Sequence, residues 1–180
     1  MRETLTLRPP NAMKDRLLRT TLVVLRIVQY LSGAAAAIAA AIATAFWVLP
    51  NVANLLLKKT PEPDTILSNT ALLLTIAIAA VLTFVMFAHL VKVVKTVGEG
   101  NAFTTENAIR LRKVAYLSLG ILASEFIVAW IGYFYHESTR DGLRWFDWDP
   151  SSIITILVLF VMARVFEEGV RLNDEAQFTV

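Results

Sequence analysis

Long apolar runs constrain this chain more than any other feature. They extend from Leu22 to Leu49, from Ile66 to Val94 and from Val114 to Tyr135, and a fourth begins at Ile153. A helix needs about 20 mostly apolar residues to cross a hydrocarbon layer of roughly 30 Å. The first three runs meet that length. The apolar part of the fourth ends at Phe166, about 21 Å of helix at ~1.5 Å per residue, so its charged continuation, Arg164 through Arg171, must complete a crossing. Period-2 alternation, the mark of a membrane barrel, is absent. With 56% hydrophobic residues and a mean hydropathy of +0.58, the chain is too apolar for an ordinary soluble domain. The expectation is all-α: an integral membrane four-helix bundle forming one transmembrane domain over 1–180. Its spans fall at about 22–49, 66–94, 114–135 and 152–171, after a short cytoplasmic N-terminal segment, 1–19. The first run has a basic flank and small residues at Ala43-Thr44-Ala45. It far exceeds the roughly 7–15 apolar residues of a secretory signal, so it reads as a retained anchor.

Loop charges predict the orientation. Before the first span stand Arg2, Arg8, Lys14, Arg16, Arg19 and Arg26, and the middle loop carries Lys92, Lys95, Arg110, Arg112 and Lys113. The other two loops carry only Lys58, Lys59, Arg140 and Arg144. This bias predicts that both termini and the middle loop are cytoplasmic. All four tryptophans, Trp47, Trp130, Trp145 and Trp148, then fall at the outer interface, where amphipathic rings anchor.

Within lipid, apolar burial does little to join helices, and small residues that admit a close backbone matter more. Gly33, Ala37, Ala41 and Ala45 recur every four residues on the first span, with a shorter pair, Gly120 and Ser124, on the third. The stripe fits another helix of this chain or of a second copy, so a homo-oligomer stays open. Glu125 lies midway along the third span, where an unpaired carboxylate is costly. Arg164 on the fourth span is the expected partner, as an intramembrane charge pair. Arg164–Glu168 and Glu167–Arg171 are spaced for i,i+4 pairing. Together with Arg26, His89, Lys92 and Arg110 they suggest an ionic layer linking all four helices.

Function classes narrow by exclusion. The chain has no cysteine, so disulfides, thiolate metal sites and a cysteine nucleophile are ruled out. A net charge of +2 argues against direct nucleic-acid binding. His89 and His136 are predicted at opposite faces of the membrane. No HExxH, GxGxxG, P-loop or nucleophile-elbow pattern occurs. The expectation is a non-enzyme without catalytic residues, cofactor or metal.

The stretch GNAFTTENAIRLRK, Gly100 to Lys113, looks like the start of a capped soluble helix set in a short loop. Thr104 can N-cap a helix beginning at Thr105, with Glu106 in the first turn, Asn107 at the third position and Phe103 placed as a hydrophobic staple. Gly98 and Gly100 end the preceding helix. Taken with the tail VFEEGVRLNDEAQFTV, this stretch resembles domain of unknown function 2975, a family of small bacterial four-helix membrane proteins. The resemblance rests on Gly100, Phe103, Glu106, Asn107, Arg110, Leu111 and Arg112, and on Phe166, Gly169, Leu172, Glu175, Thr179 and Val180. The outer loop with Trp145 and Trp148 is not covered by it.

The resemblance implies a bacterial inner-membrane location and no established activity. Members are often encoded beside small helix-turn-helix repressors of the Xre type, which implies a membrane partner of a cytoplasmic regulator. Two readings of Phe103, Thr104, Glu106, Asn107, Arg110, Arg112, Glu167, Glu168 and Gly169 follow. They form a surface that docks a partner, or they form a clasp between loop and tail internal to the fold. Two functions stay open: an interaction or regulatory protein, and an accessory subunit of a larger membrane complex.

Overall fold

A computed structural model describes residues 12–48, 63–135 and 150–178. They form four helices: α1 (Ala12–Val48), α2 (Pro63–Gly98), α3 (Thr105–Tyr135) and α4 (Pro150–Phe178). Trp145 and Trp148 lie outside the described residues, as do Thr179, Val180 and the side chain of Trp47. Among the described residues, α1, α2 and α3 each contain a stretch long and apolar enough to cross a membrane: Arg16–Ala45, Leu67–Gly98 and Thr105–Ile131. The sequence suggests four such spans. The fourth helix is not among those that qualify, and its second half carries Arg164, Glu167, Glu168, Arg171 and Glu175.

Each helix packs on the next in the chain: α1 on α2, α2 on α3 and α3 on α4. The topology is one of successive antiparallel hairpins, and α1 and α4 make no comparable contact among the described residues. In the most apolar 18 residues of α2, only 6% are buried inside the chain. Apolar side chains such as Val23, Ile78 and Val161 therefore face outward, as expected where lipid is the solvent.

What is buried is mostly small. Ala36, Ala39, Ala43, Ala77, Ala108, Ala115, Ala129 and Ala163 make up most of the apolar interior, which brings backbones close and replaces hydrophobic drive with dispersion contacts. The face of α1 that packs differs from the stripe read in the sequence. Gly33 does meet α2, where an added Cβ would stand 3.1 Å from the Phe84 ring. The buried line then runs through Ala36, Ala39 and Ala43, while Ala37 and Ala41 are exposed and Ala45 is half-buried. The reason is helical geometry. A step of four residues overshoots one turn of 3.6 residues by about 40°, so a strict four-residue stripe winds off the contact face. On α3, Gly120 faces Leu82 of α2 and Ser124 is buried.

The α2–α3 connection is short and closed by hydrogen bonds. Gly100 has φ of 87°, a left-handed conformation that only glycine adopts without cost. Its amide donates to the Val97 carbonyl (3.1 Å), and the Asn101 amide donates to the Thr96 carbonyl (3.0 Å). This is a Schellman C-cap, with Gly100 one residue past the cap. Gly98, which the sequence also offers as a breaker, is the last helical residue; its bare Cα accommodates Leu18 of α1, whose Cδ2 would lie 2.9 Å from an added Cβ. No heavy atom lies within 4 Å of a Cβ built on Gly100, so only its backbone conformation resists substitution. Gly100→Ala is expected to lower stability by about 1 kcal/mol, measured by thermal melting in nanodiscs. An unchanged melting temperature would mean the cap contributes nothing.

Candidate functional site: the loop–tail clasp

The residues of the α2–α3 loop motif and of the tail meet at one end of the helices. Thr104 caps α3: its Oγ1 accepts from the Asn107 amide (3.3 Å) and its carbonyl from the amides of Asn107 (3.0 Å) and Ala108 (3.2 Å). The helix begins at Thr105, as the capping pattern predicts. Glu106 stands in the first turn and accepts from Arg110 one turn on, at 2.6 Å.

Asn107 is the centre of the arrangement. It is 0% exposed. Its Oδ1 accepts from the Thr96 hydroxyl at 2.8 Å and from Arg110 Nη1 at 3.0 Å. Its Nδ2 donates to the carbonyls of Ala102 at 3.0 Å and Asn101 at 3.3 Å. Both lone pairs and both protons of the amide are thereby used. One side chain ties the end of α2, the turn and the start of α3, and satisfies two loop carbonyls that have no ladder to join. A composition argument does not reveal this. The signal in the sequence is an asparagine at the third position of a capped helix, where glutamate completes a capping box.

Phe103 turns away from its own helix and onto the tail. Its ring lies 5.4 Å from that of Phe166, tilted by 45°, within the range where aromatic pairs attract. Gly169 gives it room: a Cβ there would stand 2.7 Å from Phe103 Cε1. Below the rings Val93, Leu111 and Ala163 form a buried cluster, against which Phe166 packs. Arg112 pairs with Glu167 across the α3–α4 interface, and Arg164 reaches the same carboxylate at 3.3 Å.

Three pairings expected from the sequence are replaced. Arg164 meets Glu167 rather than Glu168, Arg171 meets Glu168 (2.6 Å) and Glu175 (3.5 Å) rather than Glu167, and Glu125 does not meet Arg164. The last follows from register. Tyr116 touches Phe160 edge-on at 5.2 Å, and Arg112 meets Glu167, so Arg164 stands near the start of α3. Glu125 lies about 20 Å further along, level with Ser151, Ser152 and Thr155. The ionic layer is likewise narrower than the charges suggest. Among the described residues its interhelical ion pair joins α3 to α4, and neither Arg26 nor Lys92 takes part in one. His89 buries Nδ1 without a hydrogen-bond partner. Trp130 is exposed on α3.

No group of His, Cys, Asp or Glu among the described residues is arranged to hold a metal ion. What the clasp offers is a rigid knot with a charged rim: Glu106, Arg164, Arg171 and Glu175 have side chains at least 63% exposed.

Comparison with known families decides the kinship. A family model described as a protein of unknown function, DUF2975, matches residues 50–180. The chain belongs to the DUF2975 family. The match takes in α2, α3 and α4 and both halves of the clasp, while α1 precedes it. No curated protein and no solved structure matches the chain.

Proposed function

We propose that this DUF2975 protein is a non-enzymatic, multi-pass protein of the bacterial inner membrane that serves as an interaction or regulatory partner. Its four helices sit as a bundle in lipid, with α4 crossing through its charged second half. The termini and the α2–α3 turn face the cytoplasm, and the partner is a soluble helix-turn-helix regulator. One observation carries the reading: the loop, ordered by Asn107, is joined to the sequence-distant tail by Phe103 and Arg112 into one platform whose outer charges remain exposed. A fixed rim of both signs suits recognition of a soluble protein, because complementary charges set orientation and association rate. The excess of Lys and Arg in the same loop supports the cytoplasmic assignment.

Glu168 is the residue with which to test this. Its ion pair, to Arg171, lies within its own helix, so reversing it leaves the α3–α4 contacts intact. In the native host, gentle extraction of the wild type is expected to retain a helix-turn-helix protein by mass spectrometry. Glu168→Lys is expected to lose that protein at unchanged membrane abundance. Recovery of integral membrane subunits alone would overturn the regulator reading.

That outcome would favour the second reading, an accessory subunit of a membrane complex. Ala37 and Ala41 speak for it: small residues on α1 left exposed beside the packed face, where another helix can approach closely. Ala37→Leu would then break co-purification while the clasp tolerates change.

A further inference from the structure

An open groove of about 240 Å³ lies between α3 and α4, far from the clasp, with Met86 of α2 at its edge. Glu125 supplies its carboxylate; Ser118, Ser151, Ser152 and Thr155 supply hydroxyls; Ile121, Ile156 and Met86 supply apolar wall. Two of the hydroxyl protons are already committed. Ser118 donates to the Val114 carbonyl at 2.9 Å and Thr155 to the Ser151 carbonyl at 2.8 Å. What these side chains have left to offer is oxygen lone pairs. The lining thus holds one carboxylate, four hydroxyl oxygens and a thioether, and no basic side chain. Glu125 makes no ion pair with any described residue. It lies within the apolar stretch Thr105–Ile131, where an ionisable group marks a binding or transfer site by default. The first turn of α4 contributes partial positive charge of roughly half a unit, which is less than a carboxylate needs.

The chemistry selects the ligand. A divalent metal takes six or more oxygen ligands with several carboxylates among them, and a single carboxylate does not supply that. One negative charge, neutral acceptors and aliphatic walls suit one positive charge on an apolar body. The volume lies just below the usual range of drug-sized ligand sites, room for a headgroup and the first part of a chain.

We propose that this groove binds the ammonium group of an amphiphile that enters from the bilayer, with Glu125 as its counter-ion. The ammonium takes the place of an ion-pair partner that the described residues do not supply, and its methyl or methylene groups lie against Ile121 and Ile156. The site is independent of the docking reading, because it stands about 20 Å from Arg112 and Glu167.

The test uses the full chain in nanodiscs of phosphatidylglycerol, which has no ammonium group. Dicyclohexylcarbodiimide, a lipid-soluble reagent, converts a protonated membrane carboxyl to an N-acylurea, read by mass spectrometry at Glu125. A cation seated on the carboxylate excludes the proton that the reagent requires. Decyltrimethylammonium is expected to slow labelling at least tenfold, and decanol is expected to leave it unchanged. Replacing part of the lipid by phosphatidylethanolamine separates the sources: protection by that lipid assigns the site to a membrane headgroup, and protection by the added amphiphile alone assigns it to a free organic cation. Equal labelling under all conditions overturns the proposal. Calorimetric titration with decyltrimethylammonium, against empty nanodiscs, is expected to weaken at least tenfold in Glu125→Gln. It should weaken similarly in Ile156→Trp, which fills the groove and keeps the carboxylate. If both variants retain helical circular dichroism and wild-type affinity, the groove is not the site.

Discussion

Asn107→Asp is expected to be the most damaging single substitution in the clasp, although it changes one atom of the side chain. The carboxylate still accepts from Thr96 and Arg110. It has no proton for the carbonyls of Ala102 and Asn101, and sets a charged oxygen against them at 3.0 and 3.3 Å. The site is 0% exposed, so water does not relieve the repulsion. Removing donors from buried acceptors and burying a charge together cost about 3 kcal/mol or more. For a chain of this size that is a fall of roughly 6–12 °C in melting temperature. Asn107→Leu should lose a similar amount, because it leaves both loop carbonyls without their donor. The measurement is thermal melting in nanodiscs, alongside amide exchange at Ala102 and Phe103. Wild-type melting in the aspartate variant would show that water reaches the turn.

The amide network explains why the start of α3 was legible in the sequence and its partners were not. A capping threonine, an acidic first turn and a helix that begins at Thr105 are local facts: each depends on residues within one turn. So does the end of α2, where glycine alone tolerates φ of 87°. The apolar runs likewise announce helices, because length and composition alone decide whether a segment can span. Pairings across helices depend on register, which no single segment encodes. Glu125 and Arg164 match in depth when both are placed by counting from helix ends. The antiparallel contact of Tyr116 with Phe160 moves Arg164 towards Arg112 instead. The stripe Gly33–Ala37–Ala41–Ala45 winds off the α2 contact for a related reason: small residues permit contact on any face they occupy, and the neighbour's ridges choose the face. Phe103 was readable as a staple, but its partner on the tail helix is set by the α3–α4 packing that register creates.

Gly169→Ala should destabilise the protein, against the ordinary preference of a helix. Replacing glycine by alanine inside a helix gains about 1 kcal/mol in backbone propensity. At Gly169 the added methyl would overlap the Phe103 ring, with Cε1 at 2.7 Å. The ring must swing out, and with it goes the contact with Phe166 at 5.4 Å. Overpacking of this kind costs about 1–3 kcal/mol, and the lost ring pair about 0.5–1.5. The ring is 49% exposed, so it can yield towards solvent and the net loss stays near 1–2 kcal/mol rather than preventing folding. The decisive measurement is a double-mutant cycle. In a Phe103→Ala background the obstacle is gone, and Gly169→Ala should then stabilise by the full propensity of about 1 kcal/mol. A change of sign between the two backgrounds, with a coupling of about 2–3 kcal/mol, would locate the need for glycine in the loop's aromatic ring rather than in the tail helix itself. If Gly169→Ala has the same effect in both backgrounds, Phe103 does not rest on α4, and the loop and tail are held together by Arg112 and Glu167 alone.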